Sequence, residues 1–115
     1  MGFVWTQRNI KWFLTAEKTT YFYKKIVTKV LPYMREAKTV LDVGCGLGPL
    51  AIEFAGKGFD VTGIDTSEPA ISMVKERIRE ERLYSVRAEN IAFEKITDVF
   101  EFDVTCICYV MSLVE

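Results

Sequence analysis

The stretch TVLDVGCGLGPLAIEF, residues 39–54, decides how this chain is read. Its first five residues form a largely β-branched, apolar run suited to a buried strand. Gly44, Gly46 and Gly48 then alternate with Cys45 and Leu47, so the chain turns with almost no side chain in the way. Pro49 follows, a residue suited to the first turn of a helix, where its missing N–H has no intrahelical partner. The pattern predicts strand, tight turn, helix. Such a turn either receives a nucleotide-like ligand or merely joins the two elements, and the flanking sequence has to separate these readings.

Downstream the same unit recurs. The first helix spans residues 49–57 and is closed by Gly56 and Gly58. Residues 60–64 read as a second strand and residues 67–82 as a helix with Ile71, Val74 and Ile78 inward. Residues 84–88 read as a third strand. After a mixed segment comes FDVTCICYV, residues 102–110, apolar at nearly every position, as expected of a strand covered on both faces. Strands alternating with helices through short connections indicate right-handed βαβ units and an open, doubly wound α/β sheet. Upstream, residues 5–36 are helical in character. Phe22, Ile26, Val30, Leu31 and Met34 share one stripe, Thr19 or Thr20 caps it, and Pro32 bends or ends it.

Composition narrows the chemistry. A chain of 115 residues is one small domain at most, and half of its residues are hydrophobic, enough for a core. The formal net charge of −1 gives no electrostatic footprint for nucleic acid or an acidic membrane. Residues 75–87 mix both signs and read as a solvated helix face. There is no histidine, which excludes Ser–His–Asp and Cys–His nucleophiles and any histidine-ligated metal. Three cysteines, Cys45, Cys106 and Cys108, are an odd set that points to a reducing compartment, with Cys106 and Cys108 as core residues of one strand face. No run approaches the ~18 apolar residues of a membrane span. Met1 to Thr6 fits the loose N-myristoylation pattern, but no polybasic stretch follows it. The expectation is a soluble, cytoplasmic protein with no metal.

In doubly wound sheets, ligands bind at the carboxyl ends of the strands. Asp65 ends the second strand 21 positions after Gly44, close to the ~20-residue offset at which a carboxylate meets ribose hydroxyls. Its alternative role is that of a turn residue beside the Thr66/Ser67 helix cap. Gly46, Gly48 and Ala51 echo the alanine variant of a dinucleotide fingerprint, yet Pro49 removes an amide from the helix start where a pyrophosphate needs donors. No Gly-Lys-Ser/Thr completes a P-loop. The phosphate cradle is deficient. A nucleoside ligand without phosphate fits better.

VLDVGCGLG, residues 40–48, resembles motif I of the class I S-adenosylmethionine-dependent methyltransferase family. VTGIDTSEPAISMVKER, residues 61–77, is similar to that family's second motif. AENIAF, residues 88–93, and FEFDVTCICYVMSL, residues 100–113, resemble the segments around its third and fourth strands. The resemblance implies a mostly parallel Rossmann-like sheet of order 3-2-1-4, residues 39–115, preceded by an N-terminal helical cap, residues 1–38. It implies S-adenosylmethionine as cofactor. Gly44, Cys45, Gly46 and Gly48 would let the backbone approach its methionine portion and ribose. Asp42 would brace the loop and help hold the ammonium, Asp65 would hold the ribose hydroxyls, Thr66 would flank the adenine, and Ala88 also counts among the cofactor-binding residues. The family usually carries an acid just before AEN, where this chain has Arg87. Glu89 replaces it, or the adenine is read by backbone alone.

Methyl transfer from a sulfonium needs alignment and dryness rather than an acid, so no catalytic side chain is assigned. Trp5, Trp12, Phe13, Tyr21, Phe22 and Tyr23 either lid the site or pack the helices. The region after the fourth strand, CYVMSL, lacks the Asn/Asp-Pro-Pro-aromatic turn of base amino-methyltransferases. A small-molecule, lipid or protein acceptor is expected. The alternatives are a non-catalytic binding or assembly module and an NAD(P)-dependent oxidoreductase. The fourth strand lies at the sheet edge in this chain and calls for a C-terminal segment, a partner chain or a dimer to cover it.

Overall fold

Five residues, Thr39–Val43, form β1, the strand around which the sheet is arranged. The computed structural model describes residues 17–96 and 101–107. Helix α1 (Glu17–Val30) and a 3₁₀ turn (Leu31–Tyr33) precede β1. Then come α2 (Pro49–Gly56), β2 (Asp60–Ile64), α3 (Glu68–Glu81), β3 (Val86–Glu89), a 3₁₀ turn (Phe93–Lys95) and β4 (Val104–Cys106). All the strand pairs are parallel, and the order is β3-β2-β1-β4. This is the expected Rossmann-like topology.

Alternation along β1 divides the core into two faces. Val40 joins Leu50, Ala51 and Phe54 of α2 and Tyr23 and Val27 of α1, while Cys45 and Ala88 pack under Ile71 and Val74 of α3. Among the described residues, the crossover helices α2 and α3 thus lie on one face, as right-handed crossovers progressing in one direction require, and α1 packs beside α2. Leu41, Val43 and Ile64 line the other face, covered by Ile91, Ile96 and Phe102 from the β3–β4 connection.

Several expectations are corrected. In α1 the buried positions are Tyr23 and Val27; Phe22 is exposed and Ile26, Val30 and Leu31 are half-buried. The face is rotated by one residue, with Tyr23 and Val27 packed into the cluster that holds Phe54. Thr19 and Thr20 lie within α1 rather than at its cap. The third strand starts at Val86, not residue 84. Arg82 is left-handed, with φ 56°, and the Val86 amide still donates to the Leu83 carbonyl, so residues 82–85 are consumed by the exit from α3. The fourth strand starts at Val104 because Asp103 is held in a bend against Lys38 and Thr39. Cys106 is half-buried against the helical core. The strand ends at Cys106, with Ile107 already outside it; Trp5, Trp12, Phe13 and residues 108–110, Cys108 included, lie outside the described residues.

Candidate functional site

The turn after β1 is built by glycine stereochemistry. Gly44, Gly46 and Gly48 all have positive φ, at 74°, 56° and 80°, where an L side chain costs roughly 1–2 kcal/mol. At Gly48 the space is closed as well: a Cβ would lie 3.2 Å from a Val74 methyl of α3. Gly48 is the N-cap of α2 and Pro49 its first residue, so the helix start presents one amide fewer than usual.

Asp65 ties this turn to the second strand. Its Oδ2 accepts from the Gly46 amide at 2.8 Å, and its Oδ1 accepts from the Ser67 amide at 2.8 Å. A carboxylate offers about four acceptor positions, so two remain for a ligand. Ser67, the N-cap of α3, accepts from the Ala70 amide. The Gly44 and Cys45 amides both donate to the Ile64 carbonyl, at 2.9 and 3.0 Å. The third strand is joined in turn, since the Asp65 amide donates to the Glu89 carbonyl and Asn90 Nδ2 donates to the Asp65 carbonyl at 3.0 Å. Three strand ends form one hydrogen-bonded rim.

Beneath the loop lies Asp42, 2 % exposed, in register with Gly63 of β2 and Cys106 of β4. Its Oδ2 has no hydrogen-bond partner among the described residues. Burial, and then the charge of Asp65, push its carboxyl up to about 7, against a backbone hydrogen bond from Ala51. A buried carboxyl with a spare acceptor fits a donor or a cation arriving at the loop. Burial and the two aspartates also raise the Cys45 thiol, so it is an inert core group.

The structure brings Asp42, Gly44, Cys45, Gly46, Gly48, Asp65 and Glu89 together at the carboxyl end of the sheet. It turns some side chains away from any ligand. Cys45 and Ala88 are packed into the core and offer only backbone to the rim. Thr66, Arg87 and Glu89 are exposed, with Arg87 and Glu89 on the sheet face opposite Ala88. Two contributors were not read from the sequence. Asn90 anchors Asp65, and its place directly after the third strand was the available signal. Gly63 is the other: a Cβ there would lie 2.9 Å from both Cβ and Sγ of Cys45. Glycine inside a strand signals such a close approach.

Among the described residues, no helix is long and apolar enough to cross a membrane, and no cluster of metal-ligating side chains occurs. The family described as "Methyltransferase domain" matches residues 15–111. A ubiquinone biosynthesis O-methyltransferase of Alkalilimnicola ehrlichii is 40% identical over 75 residues, covering 63% of this chain and 30% of that protein. Among solved structures, the tRNA (uracil-54, C5)-methyltransferase of Pyrococcus abyssi in complex with S-adenosyl-L-homocysteine superimposes with TM-score 0.59 and 29% identity. That match covers 74% of this chain and 21% of that one. The magnesium protoporphyrin IX methyltransferase of Synechocystis PCC 6803 shares the fold, with TM-score 0.64 at 21% identity over 75% of this chain and 42% of that one. The matches span less than a third of the length of the curated relatives.

Proposed function

The chain belongs to the methyltransferase-domain family, and from that premise we propose that it forms the cofactor-binding half of an S-adenosylmethionine-dependent methyltransferase. The observation that carries this reading is the rim itself. Side-chain-free backbone at Gly44, Gly46 and Gly48 lies between a carboxylate with free acceptor positions, Asp65, and a buried carboxyl with an orphaned oxygen, Asp42. A nucleoside carrying an ammonium group matches both ends. Asp65 takes the ribose hydroxyls, Asp42 takes the ammonium side, and the backbone of Cys45, Ala88 and Glu89, with exposed Thr66, borders the base. Pro49 at the start of α2 disfavours a pyrophosphate, and with it NAD(P) and ATP.

When bound, S-adenosylmethionine supplies a sulfonium-borne methyl group for in-line displacement. The residues present serve such chemistry by orientation: they fix the loop and its carboxylates before a ligand arrives. Relatives named for ubiquinone biosynthesis and for a tRNA uracil differ in acceptor, so the matched segment is what such enzymes share, the cofactor half. The acceptor is a small molecule, a lipid or a protein side chain, and the odd set of three cysteines suits a cytoplasmic setting. Calorimetry with S-adenosylmethionine, S-adenosylhomocysteine, NADH and ATP tests the reading. The first two are expected to bind and the last two not. Preference for NADH or ATP would overturn it.

A further inference from the structure

Asp42 has a consequence beyond holding a ligand. Among the described residues its Oδ2 is the one buried side-chain polar atom without a hydrogen-bond partner. The titratable groups around it come from every neighbouring element. Asp65 stands just past the end of β2, Cys45 lies in the loop, and Cys106 is in register on β4. None of these is a cation. The helix packed above contributes the apolar Leu50, Ala51 and Phe54 and one backbone hydrogen bond from Ala51, which opposes the upward shift. Two carboxylates at one loop, one of them dry, resist ionising together. A proton on the buried one relieves this.

We propose that ligand binding at the glycine loop expels a proton from Asp42, so that the site selects ligands bearing an ammonium group and exchanges that cation for the proton. The inference rests on the S-adenosylmethionine reading for the identity of the ammonium ligand. Its physical basis is a swap: a fixed positive charge facing Oδ2 supplies what the proton supplied in the free protein, and the carboxylate then ionises without an unpaired buried charge. Asp65 is engaged by two backbone amides before any ligand arrives. It is therefore the constant partner, and Asp42 the variable one. A nucleoside without the amino-acid portion engages the Asp65 side alone and leaves the Asp42 proton in place.

The test is calorimetry of the whole chain in buffers of different ionisation enthalpy, which counts protons exchanged per ligand bound. At about pH 6.5 the amine of S-adenosylhomocysteine stays protonated, and a carboxyl titrating near 7 is about three-quarters protonated. Release of about 0.7 proton per S-adenosylhomocysteine is expected, and none for 5′-methylthioadenosine, which lacks the ammonium. Asp42→Asn is expected to bind S-adenosylhomocysteine more weakly than the wild type and to release no proton. Should that variant fail to fold, carbon-13 carboxyl titration of the wild-type chain replaces it: one carboxyl should titrate near neutrality when free and move well below it when saturated. Binding of S-adenosylhomocysteine without proton release, or equal release with 5′-methylthioadenosine, would overturn the inference while leaving the cofactor reading intact. If neither ligand binds, the cofactor reading itself fails and the inference with it.

Discussion

β1 has two neighbours, and it is joined to them at opposite ends. With β2 it pairs over five residues, Thr39 to Val43 against Asp60 to Ile64. That junction is latched at the carboxyl end, where Gly44, Cys45 and Gly46 donate to Ile64 and Asp65. With β4 it pairs over three residues, Val40 to Asp42 against Val104 to Cys106. That junction is pinned at the amino end, where the Asp103 carboxylate accepts from the Lys38 and Thr39 amides and the Thr39 hydroxyl accepts from the Asp103 amide. The same chemistry, an aspartate on backbone amides, therefore does two jobs. The latch shapes a site. The pin sets a register far from it.

The sharpest way to break this contrast is to remove the latch. Asp65→Ala takes away a charged acceptor worth about 1.5–3 kcal/mol and should weaken S-adenosylhomocysteine binding roughly 10- to 150-fold. It should also lower Tm, because the Gly46 and Ser67 amides lose their partner. Unchanged affinity in a folded variant would remove Asp65 from the site.

The buried carboxyl beneath the latch gives the next effect. Its folded-state value, about 7, lies above the ordinary 3.8, so the protonated form favours folding. The contribution is full below about pH 4 and is lost as the pH rises through about 7. Stability of the ligand-free chain should fall by about 2–3 kcal/mol between pH 5 and 8, and Asp42→Asn should flatten that slope. Chemical denaturation at several pH values checks both. A flat wild-type profile would show Asp42 to be ionised throughout.

Packing between the loop and β2 supplies a third test. Gly63→Ala places a methyl against Cys45 Cβ and Sγ, and overpacking of this kind costs about 1–3 kcal/mol. Cys45→Gly in the same chain should restore much of the loss, a non-additivity measurable by a double-mutant cycle. The smallest effect is expected at the pin. Asp103 is fully exposed, and Asp103→Ala should lower Tm slightly at neutral pH while leaving ligand affinity untouched. Its carboxyl is held below the usual range by the Lys38 and Thr39 amides. The deficit should therefore shrink as acid protonates the wild type. A loss of affinity in this variant would mean that the pin and the latch are coupled through β1.

Where local pattern and tertiary demand agreed, the sequence was legible. β1 and β2 match residue for residue, because short β-branched, mostly apolar runs there are bounded by glycine turns and helix caps. α3 was readable from its Ser67 cap and its spacing of Ile71 and Val74. The glycine turn and Asp65 stood out because so few structures need three positive φ angles in five residues with a carboxylate one strand away. Legibility failed where a neighbour decided. The buried face of α1 depends on how the helix lies on Phe54, and the start of β3 depends on how many residues the exit from α3 consumes.

By itself, then, the sequence determined the order of elements, the parallel sheet and the glycine loop, all of which follow from periodicity and backbone stereochemistry within a few residues of one another. Only the tertiary structure decided what Asp42 and Asp65 are. The resemblance implied a different ligand group for each, but not that one meets two amides at the rim while the other lies dry with an oxygen unpartnered. The physical reason is that a carboxyl's charge state is set by solvent and by groups distant along the chain, and a pattern of neighbours in sequence does not contain them.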